Sequence, residues 1–248
     1  MSFKEALGSF AVIETRFEGP PGIVNGGYAA GLLLERMGIA EAEVVLRHPI
    51  VAGKRIRIGR HGNGLAVFDE NSALLVEAQP AQVVAEPQAA PSWQEAEDAS
   101  LRNPPGGVPI FPNCFSCGPL RRRSEALRIL CGALRPGEVA APWTPSAWTA
   151  GADGSVRPPY VLAAIDCPGV WAAVSAGLPE GDEILLLGTM AIKVLHPVVP
   201  GRRHVVSGRL LDSEGRRVHA ATTLYEEGGR AVAVARQVWI RVERQDVS

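Results

Sequence analysis

Asn25, Gly26 and Gly27 stand directly before an apolar run at helical spacing, Tyr28, Leu32 and Leu33, with small alanine and glycine between. Asparagine is a good helix N-cap because its side-chain oxygen accepts one of the unpaired N–H groups of the first turn. Glycines without a Cβ let the carbonyl of another molecule approach those N–H groups, and the positive end of a helix favours an oxyanion there. The stretch reads either as an oxyanion-binding helix start or as the turn into an ordinary core helix. Far along the chain, Asp166 sits in the apolar string AAIDCPG, where an unpaired carboxylate is costly to bury. It is either a working acid or the cap of the turn before Pro168.

The other reactive residue types carry weaker patterns. Cys114 and Cys117 form a lone CxxC. Zinc would need two more ligands, and Cys131 and His196 have no spacing to recommend them. A redox CxxC opens a helix beside a parallel sheet, and no such unit is predicted, so a structural loop without metal is expected. Cys167 has no histidine at a telling position and reads as a core thiol. His48 and His196 each precede a proline in equivalent contexts, which assigns them to the fold as cross-strand partners. Arg121, Arg122 and Arg123 could meet phosphates, although a charge run in a loop is ordinarily a solvated face. Trp143, Trp148 and Trp171 fall near a second predicted helix, as lining of an apolar tunnel or as core.

The whole chain sets limits on these readings. Its 248 residues suffice for one large domain or two ordinary ones, and 46% hydrophobic with 21% charged residues is globular. A net charge of −1 gives no reason to expect nucleic acid. No apolar run reaches the roughly 18 residues of a membrane helix, so no membrane is expected. The N-terminus lacks the basic-then-apolar pattern of a secretion signal. Four cysteines are then expected as thiols, with the cytoplasm as the default location.

The elements that must position the candidates follow from periodicity. Residues 10–17 suit a strand, and a helix runs from Asn25 to about Met37, closed by Gly38 as a C-cap glycine would close it. Strand character follows at 44–51, 54–60, 65–69 and 74–79, with hairpin turns at 61–64 and 69–72. Residues 80–112, rich in Ala, Pro, Gln and Glu, have linker composition with a short helix around 93–99. Strands are expected again at 127–134 and 138–143. Pro158 and Pro159 open a second helix reaching about Ala176, since proline suits a first turn, and Pro168 implies a kink within it. Four strands close the chain at 183–196, 204–211, 217–226 and 231–242.

VLRHPIVAGKRIRIG from Val45 matches VLHPVVPGRRHVVSG from Val194, each copy after a helix and before further strands. The chain reads as two copies of one helix-plus-antiparallel-sheet unit, at 1–80 and 113–248, joined by a linker at 81–112.

A long helix wrapped by an antiparallel sheet, then a strand ending in a His-Pro step and a Gly-Lys/Arg turn, resembles the hotdog fold. Two copies in one chain resemble a double hotdog of the acyl-CoA thioesterase type, within the PaaI-like and TesB-like thioesterases. The segment PNCFSCGP at 112–119 is similar to the Cys-Phe-x-Cys-Gly-Pro stretch before the first strand of small PaaI-like thioesterases. Downstream, RRRSEALRI departs from their Asn-Pro-x-Gly-Leu pattern. The expected fold class is therefore α+β, two antiparallel sheets each wrapped around one long helix.

That branch carries a His-Gly-Gly step at the helix start and an acid nine residues after the His. The first half has Asn25-Gly26-Gly27, with Leu34 nine positions on and Glu35 beside it. The second has Arg157-Pro158-Pro159, with Asp166 nine positions on. Proline has no N–H to offer an oxyanion, and leucine can neither polarise water nor attack a carbonyl. The resemblance implies one composite site across the pairing of the halves. Asn25, Gly26 and Asp166 are its catalytic residues, with the Gly26 N–H as oxyanion donor and Asp166 as base or nucleophile. Gly27, Tyr28 and Thr189 are expected against substrate. The opposite site, Arg157 and Pro158 facing Leu34, would be dead or only bind.

The implied activity is hydrolysis of acyl-CoA or another acyl thioester, in fatty acid metabolism, with neither metal nor cofactor and with a homo-oligomer open. A non-catalytic acyl-CoA or lipid-like binder is the second reading. A hotdog dehydratase using Glu35 is the weakest.

Overall fold

The computed structural model describes residues 10–87 and 89–244; the first nine residues, expected to carry no secretion signal, lie outside them. The strands are β1 (Phe10–Val12), β2 (Glu41–Leu46), β3 (Arg55–His61), β4 (Gly64–Phe68), β5 (Leu74–Pro80), β6 (Gly132–Arg135), β7 (Glu138–Trp143), β8 (Glu183–Val194), β9 (His204–Glu214), β10 (Arg217–Glu226) and β11 (Ala231–Glu243). All pair antiparallel in one sheet of order β1-β3-β4-β5-β2-β8-β11-β10-β9-β7-β6. The seam lies between β2 and β8, where Val44 faces Met190 and Glu43 faces Ala191. On either side of it the strands come in the same sequence, so the order is close to a palindrome.

Helix α1 (Gly26–Met37) starts and stops where its sequence says it should. The Asn25 side chain accepts from Tyr28 N, and Gly38 closes the last turn at φ 66° with its N–H on the carbonyls of Leu34 and Glu35. The second helical stretch is two helices, α3 (Pro158–Ala164) and α4 (Cys167–Ser175), because Pro168 can enter only a first turn. Helices α1 and α3 touch backbone to backbone. A Cβ on Gly27 would lie 2.4 Å from the Leu162 oxygen, and one on Gly31 would lie 2.3 Å from Pro159 Cα. The i, i+4 glycine pair is what lets the two helices approach so closely.

Several expected boundaries move. The strand expected at 10–17 is three residues long, followed by a 3-10 turn at Thr15–Phe17. Strand β2 ends at Leu46, because the N–H groups of Arg47 and His48 both turn to the Leu75 carbonyl. Residues 127–131 are not strand: Leu127 N and Ile129 N donate to Phe115 and Ser116 of the preceding loop, leaving β6 only four residues. The 81–112 stretch carries α2 (Trp93–Ser100), started by a capping box between Ser92 and Glu95. Its Ala96 and Ala99 are fully buried, and Gly132 passes directly under the Ala99 carbonyl. That stretch is therefore a packed element as well as a connection. His48 and His196 are exposed, and their backbone N–H groups, bound to Leu75 and Val232, hold the equivalent strand ends. The strand contact is made by the backbone and not by the imidazoles.

Candidate functional site

The break between α3 and α4 places Asp166 at the N-terminus of α4, with no capping bond from its side chain. The carboxylate instead crosses to α1. Asp166 Oδ2 accepts from Asn25 Nδ2 at 2.8 Å and from the Gly27 N–H at 3.0 Å. Asn25 does two jobs with one amide, since its Oδ1 caps α1 through Tyr28 N at 2.9 Å. The other carboxylate oxygen, Oδ1, is buried and has no hydrogen-bond partner among the described residues. Burial pushes the Asp166 carboxyl up from an ordinary 3.8 to about 7, partly offset by the bond from Gly27.

A carboxylate so placed needs its helix break held open. Gln237 on β11, fully buried, donates from Nε2 to the carbonyls of Ile165 (2.8 Å) and Asp166 (3.2 Å). Its Oε1 accepts from Trp239 Nε1 at 2.9 Å. Gly169 leaves room for this amide, since a Cβ there would lie 1.8 Å from Gln237 Oε1. Ser116 Oγ donates to the Ala163 carbonyl at 2.6 Å. These two side chains satisfy carbonyls freed where the helix stops.

Asp166 and Asn25 border a cavity of about 60 Å³ together with Gly26, Trp171, Leu187 and Trp239. A water needs about 10–15 Å³ by this measure, so the space holds several non-hydrogen atoms. Apart from the thiols of Cys114, Cys117 and Cys167, the rest of the wall is largely apolar. Gly26 lines this cavity, and its N–H, in the first turn of α1, has no intrahelical acceptor.

The expected residues divide as follows. Asn25, Gly26, Gly27 and Asp166 come together. The contact is closer than a bridging water would give, and Gly27, not Gly26, touches the acid. Tyr28 does not line this cavity; its ring stacks on Phe17 at 4.0 Å, and it borders a separate wider cleft. Thr189, two residues along β8 from Leu187, is also absent from the lining. Trp171 lines the cavity, whereas Trp143 lies against His204 and Trp148 against Tyr160. Arg121 pairs with Glu18 at 3.2 Å, while Arg122 and Arg123 are exposed.

At the equivalent place in the other half, Arg157 grips Glu35 through two bonds of 2.7 and 2.6 Å. That carboxylate borders the wider cleft and is away from Asp166. A dehydratase-like acid at Glu35 would need a free carboxylate, so this pairing removes the support for that reading.

Sequence reasoning missed Gln237, Trp239 and the meeting of the cysteines. A glutamine on the face of AVAVARQVWI opposite Arg236, where its alternate neighbours Ala233 and Ala235 are apolar, was a usable signal for the first. The sulfurs of Cys114, Cys117 and Cys167 all lie within 4.8 Å of one another and are buried. Cys114 is held well below the usual thiol range by the Cys117 and Cys167 thiols hydrogen-bonding to it. Those same bonds push Cys117 and Cys167 up.

No family model and no curated protein matches the sequence. Among solved structures, acyl-CoA thioesterase II TesB2 from Mycobacterium marinum superposes with a TM-score of 0.64 at 12% identity, over 98% of this chain and 95% of that one. The fold is a double hotdog. A tesB protein from Mycobacterium avium subs paratuberculosis gives 0.60 at 14% identity, over 94% and 92%. At these identities the likeness is one of architecture. Among the described residues no helix is long and apolar enough to cross a membrane.

Proposed function

We propose that this double hotdog hydrolyses an acyl thioester, of coenzyme A or a similar carrier, at the Asp166 cavity. The observation that carries the reading is the buried, unpartnered Oδ1 of Asp166, a residue that borders a largely apolar cavity together with the N-terminus of α1. The thioester carbonyl oxygen accepts from the Gly26 N–H, and a water stands between the carbonyl carbon and Asp166 Oδ1. Asp166 takes the water's proton as the water attacks, the tetrahedral oxyanion collapses, and the departing thiolate recovers that proton. Direct attack by Asp166, giving an anhydride, uses the same geometry. Asn25 and Gly27 fix the carboxylate and do not hold substrate. The likeness to TesB-type thioesterases agrees with this chemistry. We further propose that the chain is a tandem repeat of units 1–80 and 113–248, of which one composite site works and the other became the Glu35–Arg157 ion pair.

One observation favours a second reading, an acyl-CoA binder without turnover. Two of the donors at the helix start are already taken by Asp166, leaving Gly26 alone to polarise a carbonyl. A panel of acyl-CoA esters, with free thiol as readout, tests both. Hydrolysis that Asp166→Asn abolishes supports the enzyme, whereas saturable binding with no thiol release by the wild type refutes it.

A further inference from the structure

The cysteine pair of the 112–119 loop is short of metal ligands when read alone, and the fold changes that count. Cys167, fifty residues further on, brings its sulfur to 3.8 Å from that of Cys114, and Cys117 completes a triad within 4.8 Å. Zinc bound at about 2.3 Å to each of three thiolates in a tetrahedron sets the sulfurs about 3.8 Å apart. One pair already has that spacing. The others close by rotations moving sulfur about 1 Å or less.

We propose that Cys114, Cys117 and Cys167 bind one thiophilic d10 cation of the zinc(II) type, with its fourth position facing the Asp166 cavity. Four observations carry this beyond a cluster of core thiols. The CxxC spacing is that of a zinc-binding turn, and the turn is fixed by the Gly118 N–H on the Cys114 carbonyl at 2.8 Å. All three cysteines border the cavity, so a fourth ligand has room. Cys167 is the first residue of the nine-residue helix α4, whose positive end favours thiolate. The buried indole N–H of Trp171 has no hydrogen-bond partner among the described residues and stands where a Cys117 thiolate would give it an acceptor. Without a cation, three thiolates this close repel one another, and metal binding releases their protons. The ion would tie the 112–119 loop to the start of α4, next to the helix break that Gln237 and Ser116 hold open. Asp166 oxygens fall outside the triad's 4.8 Å circle, so the carboxylate is a neighbour and not a ligand. The inference does not depend on the thioester reading.

The test uses the full chain, reduced and stripped with chelator, titrated with cobalt(II) as a spectroscopic probe and then with zinc(II). The expected result is one equivalent of cobalt with intense thiolate-to-cobalt charge-transfer absorption, bleached by zinc. Cys131→Ser, which alters a buried thiol outside the triad, keeps the band, and Cys114→Ser, Cys117→Ser and Cys167→Ser each lose it. Independently of any variant, zinc should slow alkylation of the three triad thiols of the wild type, which reagent reaches only through transient opening, and leave the rate at the likewise buried Cys131 unchanged. Absence of the band and of protection in the wild type overturns the proposal and leaves a dry thiol cluster. A band that survives in Cys167→Ser overturns it as well.

Discussion

Replacing Asp166 by asparagine separates what this residue costs the fold from what it does. Asparagine keeps an oxygen for the donors Asn25 Nδ2 and Gly27 N–H and removes the charge. The carboxyl moves from an ordinary 3.8 to about 7 on folding. At about 1.4 kcal/mol for each tenfold change, the fold disfavours the ionised form by on the order of 4 kcal/mol. The folded chain binds this proton more tightly than the unfolded chain. Stability is therefore undiminished below about pH 4 and falls as the pH rises through about 7. Some of the cost will be relieved by relaxation, so Asp166→Asn should gain about 2–4 kcal/mol at pH 8. At about 2–4 °C per kcal/mol for a chain of this size, that is a rise in Tm of about 5–15 °C. At pH 5 the advantage should shrink to less than half, because folded Asp166 is then mostly protonated. Hydrolysis should meanwhile fall about 10²-fold or more, the scale of a lost acid–base group. Thermal melts of both proteins at the two pH values, on chelator-treated samples so that no cation enters at the thiols, read the first effect, and steady-state thiol release reads the second. A variant less stable than wild type at pH 8, or a difference in Tm independent of pH, refutes the account of a desolvated carboxylate.

Three further changes probe the surroundings. Gly26→Pro deletes the N–H assigned to the oxyanion at a position where a helix tolerates proline; hydrolysis should drop about 10²–10³-fold, and an unchanged kcat would remove Gly26 from the mechanism. Glu35→Gln breaks a bidentate ion pair whose side chains are each 28% exposed, so it should cost about 1 kcal/mol while thiol release is unaltered; loss of activity would mean the acid had been assigned to the wrong half. Gln237→Leu strands the Ile165 and Asp166 carbonyls and the Trp239 N–H. It should destabilise the fold by about 2–3 kcal/mol and lower kcat more than it raises KM, and a change confined to KM would show that the amide positions substrate rather than Asp166.

Local signals made much of the architecture legible. The Asn25 cap and the Gly38 stop set α1 to the residue, and β7 and β10 match their alternating runs end to end. Errors arose where a segment's backbone partner is distant in sequence. Nothing within 127–131 says that its N–H groups belong to Phe115 and Ser116, and its apolar character mimics a strand. The helix expected around 93–99 is present as α2, but the linker composition of residues 81–112 concealed how firmly it packs, because Ala96 and Ala99 bury small faces that hydrophobicity hardly registers. At the site, the pairing of Asn25 with Asp166 was implied by the resemblance, whose motif both residues match in register. That the acid would meet Gly27 directly was not, because it depends on how closely α1 and α3 pack.

That close packing explains the unequal pairing of the two carboxylates, Asp166 and Glu35. With Gly27 and Gly31 against Leu162 and Pro159, there is no room for a side chain on the face of α1 that meets α3. One glycine N–H is thereby brought onto a carboxylate from the other half. The reciprocal arrangement would need free N–H groups at the start of α3. Pro158 and Pro159 have none, so an acid from α1 reaching there would find no backbone donor. Glu35 arrives at that place and is held by the Arg157 guanidinium, which replaces the missing donors with a charge. The ion pair secures the same helix–helix contact that the Asn25–Gly27–Asp166 cluster secures at the other end, but it uses both carboxylate oxygens. At Asp166 only one oxygen is used. The oxygen left over, on a residue that borders the cavity, is the acceptor on which the proposed hydrolysis rests and which the Glu35 pair lacks.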